Sequence, residues 1–159
     1  MALQQKSTPL TWDLQAADLA RVATEAWCSF DTSELTVSSN TVDAGHTDAA
    51  FTASVAIEGN WKGIVRLNCP LDLATEVAAG IFGEQDDETA EACAMDMLGE
   101  ITNMIAGSVA QIIDSATQLS LPEVGLTQGN DIESRDNTII AEVALNRESK
   151  TIQLRLLSN

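Results

Sequence analysis

"FTASVAIEGNWKGIVRLN", residues 51–68, consists of two alternating runs around a turn. Phe51, Ala53, Val55 and Ile57 alternate with Thr52, Ser54 and Glu58, the period-two pattern of a half-buried strand. Gly59 and Asn60 are turn formers, and Trp61, Gly63, Val65 and Leu67 then alternate with Lys62, Arg66 and Asn68. Two such runs joined by a short polar turn predict an antiparallel hairpin. A hairpin apolar on one face needs a second layer to cover that face.

That layer is found on either side. Downstream, Pro70 stands where the first helical position tolerates a missing N–H. "LDLATEVAAGIF" predicts a short helix ending at Gly83, and the acidic "EQDDETAE" opens a long one running to about Asp114. Carboxylates at its start suit the positive end of the helix dipole. "LSLPEVGLTQG" is weakly extended. Ile139, Ala141, Val143 and Leu145 form another alternating strand, Ile152, Leu154 and Leu156 a last one, and "NRESK" joins them. Upstream, "WDLQAADLARVATEAWCSF" spaces Leu19, Val22, Ala26 and Phe30 as a helix capped by Thr11, and residues 1–10 are polar and expected to be loose. The expectation is a single α+β domain over residues 1–159, an antiparallel sheet with helices packed on one face.

Composition sets the outer bounds. The 159 residues are 45% hydrophobic and 20% charged, a globular balance. Twenty-four acidic residues against eight basic ones give a net charge of −16. Such a surface is unsuited to nucleic acid or to anionic membrane, both of which recruit Lys and Arg. The start "MALQQKSTPL" lacks a basic segment leading into an apolar one, and no apolar run approaches the ~18 residues of a membrane span. Cys28, Cys69 and Cys93 form no CxxC pair and one is left over under any pairing, as suits free thiols in a reducing compartment. The expected location is the cytoplasm.

The long helix carries an unusual row, "DMLGEITNMIAG", residues 96–107. With Glu100 at zero on a helical wheel, Asp96 falls at about −40°, Asn103 at about −60° and Gly107 at about −20°. Ala94, Leu98, Ile101, Ile105, Val109 and Ile112 fall between about 100° and 180° and mark the core face. A polar outer face is the default, and neither Asp96 nor Glu100 alone needs a function. Asn and Gly are poor helix formers, however. Here Asn103 is the surface neighbour of Glu100, while Gly107 and the flanking Gly99 remove side chains around them. Such a face is shaped to receive another surface closely.

These residues resemble the signature helix of the CheC/CheX/FliY family of chemotaxis phosphatases: Asp or Ser, three residues, Glu, two residues, Asn. Asp96, Glu100 and Asn103 match it in order and spacing. "NMIAG", "PLDLATEVAAGIFG" and the acidic turn extend the likeness, which is detailed over about residues 70–110. The resemblance implies hydrolysis of the phosphoryl-aspartate on a CheY-like response-regulator receiver. On that analogy Glu100 is the docking carboxylate and Asn103 orients the attacking water, as a glutamine does in GTPases. Asp96, Gly99 and Gly107 complete the docking surface. The chain is expected to need no cofactor, since Mg2+ belongs to the receiver. Only one such helix is found: Glu25 is followed three positions on by Cys28 rather than Asn. A single site favours a CheX-like protein, and CheX-like members are typically homodimers joined through sheet edges. The last alternating strands are the expected source of such an edge. One departure stands out. The family places a Pro after 22 residues beyond the Asn, where this chain has Leu126, and its nearest proline is Pro122.

Other chemistries fit poorly. His46 is the only histidine, which excludes a multi-His zinc site and leaves a Ser-His-Asp triad resting on one loop residue. No cysteine sits in a basic, glycine-rich loop, and Cys93 beside the row reads more simply as a small helix residue. Trp12, Trp27 and Trp61 read as core or interface anchors. The rival to an enzyme is a non-catalytic adaptor that grips a receiver or another signalling protein, which would not require Asn103.

Overall fold

The structure, a computed structural model, describes residues 14–38, 49–113, 118–127 and 137–158. Among the described residues three helices, α1 (Ala16–Trp27), α2 (Leu71–Phe82) and α3 (Asp87–Ile112), accompany seven strands. The strands are β1 (Thr36–Val37), β2 (Ala50–Glu58), β3 (Gly63–Pro70), β4 (Gln118–Leu119), β5 (Glu123–Thr127), β6 (Thr138–Arg147) and β7 (Lys150–Ser158). They form one antiparallel sheet in the order β1-β6-β7-β3-β2-β4, with β5 also paired to β2. The α+β expectation is met, with α3 as the hub on which α1, α2 and the sheet pack.

Residues 51–68 form the hairpin that their alternation predicts. Phe51, Ala53, Val55 and Ile57 are all buried, as are Val65 and Leu67 opposite them. Trp61 lies in the connecting loop and folds back over Gly63. A Cβ on Gly63 would collide with the indole ring and the Leu157 carbonyl, so only glycine fits there. Leu71 begins α2, one residue after Pro70, and Gly83 ends it at φ 82°, a left-handed value that glycine adopts freely. The carboxylate of Asp86 caps α3 by accepting from the Thr89 N–H at 2.8 Å.

Three expectations are corrected. Helix α1 begins at Ala16 rather than Trp12. It follows Gln15, whose N–H donates to the Asp18 carboxylate at 2.9 Å, and Phe30 lies past its end in a turn on Trp27. In β6 the register slips between Ile139 and Ala141, so Ile140 is an extra residue. The bulge turns Ile139 outward, 45% exposed, whereas Val143 and Leu145 keep the inward register. Finally, β7 offers no edge, because it is enclosed by β3 and β6. Among the described residues, the flank left uncovered next to it is that of β6, where β1 pairs with Leu145 and Asn146 and the Ser38 N–H donates to the Ala144 carbonyl. Residues 1–10, Thr11, Trp12, His46 and Asp114 lie outside the described residues.

Opposite the helices, the sheet is polar. The Thr52 hydroxyl donates to the Asn68 side-chain oxygen at 2.8 Å, and the Thr52 and Thr127 hydroxyls are 3.0 Å apart. Arg155 pairs with Glu142 at 3.2 Å. Among the described residues no helix is long and apolar enough to cross a membrane.

Candidate functional site

Helix α3 buries one face and presents the other. Ala94, Met97, Leu98, Ile101, Ile105 and Val109 pack into the core, while Asp96, Glu100 and Asn103 are exposed in one row. The buried arc is wider than the apolar spacing predicts, because it also takes in Gly99, Thr102, Ala106 and Ala110. The Thr102 hydroxyl stays satisfied by donating to the Leu98 carbonyl at 2.7 Å.

Two glycines flank the row and serve different ends. A Cβ on Gly99 would lie 3.4 Å from the Pro122 Cβ and 3.5 Å from a Val124 methyl carbon, so this side of α3 is closed by the segment entering β5. A Cβ on Gly107 would meet nothing within 4 Å. Gly99 is therefore covered by packing within the chain, with room for no more than a methyl group, and Gly107 is not covered. The Pro122 contact also explains the displaced proline noted above: β5 opens directly after it, and Pro122 forms the border of the row at Gly99.

The electrostatics of the row are one-sided. Helix α3 contains no lysine or arginine, and Asp86, Asp87, Glu88 and Glu91 crowd its start. Among the described residues, neither Glu100 nor Asn103 has a hydrogen bond or ion pair to another side chain. Their polar atoms face water, and the field over them is negative. Five of the six described basic side chains are engaged elsewhere: Arg147 and Lys150 at the β6–β7 turn, Arg66 and Arg155 on the polar side of the sheet, Arg21 with Glu25 on α1; the sixth, Lys62, is exposed in the β2–β3 loop.

Of the three cysteines, Cys69 is fully buried, and burial pushes its thiol far above its ordinary range. It is no nucleophile. Cys93 is half-buried at the upstream end of the row, and Cys28 is exposed past α1. Among the described residues no three His, Cys, Asp or Glu side chains converge as a metal site would require. Two exposed apolar residues escape sequence reasoning, one next to Asn103 in the helix and one next to Pro122 in the chain. Met104 and Leu121 are 40% and 86% exposed, respectively. Met104 could have been found as the apolar residue on an otherwise polar helix face; Leu121 had no such signal.

Known proteins share this fold. Residues 51–145 match the family described as chemotaxis phosphatase CheX. No curated protein matches the sequence. Among solved structures, the chemotaxis protein CheX of Vibrio vulnificus superposes with a TM-score of 0.71 at 17% identity, over 90% of this chain and 95% of that one. CheX of Desulfovibrio desulfuricans gives 0.67 at 18% identity, over 90% and 98%. The CheX–CheY–BeF3–Mg2+ complex of Borrelia burgdorferi gives 0.63 at 15%, over 89% and 95%. At these identities the structures speak for the fold, and the family match covers more than half of the chain. The chain belongs to the CheX family of chemotaxis phosphatases.

Proposed function

We propose that this chain hydrolyses the phosphoryl-aspartate of a CheY-like receiver, with Glu100 as the docking carboxylate and Asn103 as the residue that positions water. The observation that carries this reading is the exposed pairing of Glu100 and Asn103 on α3, without partners among the described residues and without a neighbouring cation on that helix. An acyl phosphate is already activated, so a catalyst mainly has to hold a water in line with the phosphorus–oxygen bond. The water oxygen bonds to phosphorus as the bond to the aspartate oxygen breaks, leaving a carboxylate and inorganic phosphate. An amide is too weak a base to take the water's proton, which leaves with the phosphate or to solvent. Asn103 acts by orientation, and Glu100 attracts a cationic group of the receiver. The receiver brings Mg2+, as the Borrelia complex contains it with CheY and BeF3.

The two side chains should fail differently. Asn103→Ala should lower turnover by about two orders of magnitude while binding of a beryllofluoride-loaded receiver changes little, the mark of a loss confined to the transition state. Glu100→Gln should weaken that complex several-fold and flatten its dependence on salt. Stopped-flow loss of receiver phosphate, with circular dichroism as a folding control, reads both. Wild-type hydrolysis by Asn103→Ala would refute the assignment.

The same reading takes the chain as a homodimer, joined through the flank of β6 at residues 138–143, which no strand covers among the described residues, because a strand edge is usually covered or paired. Sedimentation should give about twice 16.9 kDa. A purely monomeric species at micromolar concentration would rule this out.

A further inference from the structure

Exposed apolar residues occur on the row's helix and on the segment that packs beside it. Met104 follows Asn103 directly, and on the helical wheel it falls at about 40°, on one side of the row. Gly99 falls at about −100°, on the other side, and there Pro122 and Val124 close against the helix. Leu121 precedes Pro122 and is the most exposed large hydrophobic residue among those described, at 86%. Leu126, on the same face of β5 as Val124, continues this ledge and is also exposed. Lone apolar residues on a surface need no explanation. Here, though, Met104 is on the row's own helix and Leu121 is the chain neighbour of the proline that borders the row, whose middle is a carboxylate, an amide and an open glycine.

From this arrangement we infer that Met104 and Leu121 are the apolar anchors of the receiver-docking surface, setting affinity for the receiver rather than the rate of hydrolysis. The inference rests on the receiver reading of the row. The occupant follows from charge and continuity. A body that meets Asp96 and Glu100 on a helix without cations has to bring positive charge, and seating it on the row brings it over Met104 and up to the segment that carries Leu121 and Pro122. A second copy of this strongly acidic chain would bring like charge to the same place. Contacts of this kind, apolar around a polar centre, exclude water from the charged pair and act on dissociation.

The test measures affinity and turnover separately, using a purified CheY-like receiver loaded with beryllofluoride and Mg2+ for binding, and its phosphorylated form for kinetics. Leu121→Ser and Met104→Gln should each raise the Kd and KM about fivefold, and together more than tenfold, with kcat within a factor of two. Both positions are exposed, so the variants should keep the wild-type Tm. Val37→Ser, which removes another exposed apolar side chain from the far edge of the sheet, should change neither constant. The inference is overturned if Leu121→Ser and Met104→Gln bind like wild type, or if Leu121→Ser changes the sedimentation of this chain and leaves the Kd alone. Because Kd is read without turnover, a catalytically silent Asn103→Ala would defeat the phosphatase reading and leave this test intact.

Discussion

Two groups of carboxylates and polar side chains, at different places in the molecule, have opposite fates. Where α1 ends, Asp31 accepts from the Arg147 Nε at 2.6 Å and from the Trp27 indole N–H at 2.9 Å, and Arg147 reaches Glu76 at 3.4 Å. Lys150 meets Asp72 at 3.0 Å beside them. The Asp31 and Arg147 side chains are nearly buried, and every charge is answered from within the chain. On α3, Asp96, Glu100 and Asn103 are exposed, and no cation stands on the helix. The first cluster ties α1 and α2 to the β6–β7 hairpin. The second spends nothing on the fold. Polar residues satisfied within the chain serve stability, and those left unsatisfied at a shaped surface are free to serve a partner.

Mutation should separate the two. The largest effect is expected at Asn103, about a hundredfold in turnover with no change in Tm, since an exposed side chain contributes little to folding. Next comes Arg147→Met, which leaves the Asp31 carboxylate nearly buried and short of its main donor. The expected loss is about 2 kcal/mol of folding stability by urea titration, with kcat on the receiver unchanged. An undiminished stability would show that Trp27 and Ser33 suffice to hold Asp31. The pH dependence sharpens the point. Burial works to raise the Asp31 carboxyl, but hydrogen bonds from Arg147, Trp27 and the Ser33 amide overcome it and hold the group below its ordinary value. A depressed acid stabilises the fold above its unfolded pKa and loses that contribution as pH falls through the folded one. Wild-type stability should therefore drop more steeply than that of Arg147→Met below about pH 4, as acid unfolding at two or three pH values would read.

The smallest effect has opposite signs in the two properties. Gly107→Ala adds a methyl group into open space on a helix, so stability should rise by up to about 1 kcal/mol. If the bare backbone at 107 serves close approach of the receiver, the same methyl should weaken binding several-fold. Gains in both would make Gly107 an unused helix defect and remove it from the docking surface. Gly99→Ala tests the other glycine. It should leave stability unchanged or raise it slightly, because the new methyl would lie in ordinary van der Waals contact with Pro122 and Val124 and alanine is the better helix former.

Much of this was legible in the chain. The alternation at 51–57 and 61–67 placed the hairpin, and the helical spacing of Leu98, Ile101, Ile105 and Val109 set the inner face of α3. That spacing alone put Glu100 and Asn103 outward, because in a helix the angle between residues follows from their separation. Periodicity is a local property, and it survives in one dimension. Contacts between distant segments are not local. Asp31 and Arg147 are 116 positions apart, and nothing near either residue names the other. The bulge at Ile140 that turns Ile139 outward depends on how β6 registers against β7, and the closing of Gly99 depends on where β5 lies. The sequence by itself determined the elements, their inward faces and the outward row on α3. Only the tertiary structure decided which glycine is buried and which is open, which charges are answered, and what packs beside the row, because each of these is set by atoms brought together from separate segments.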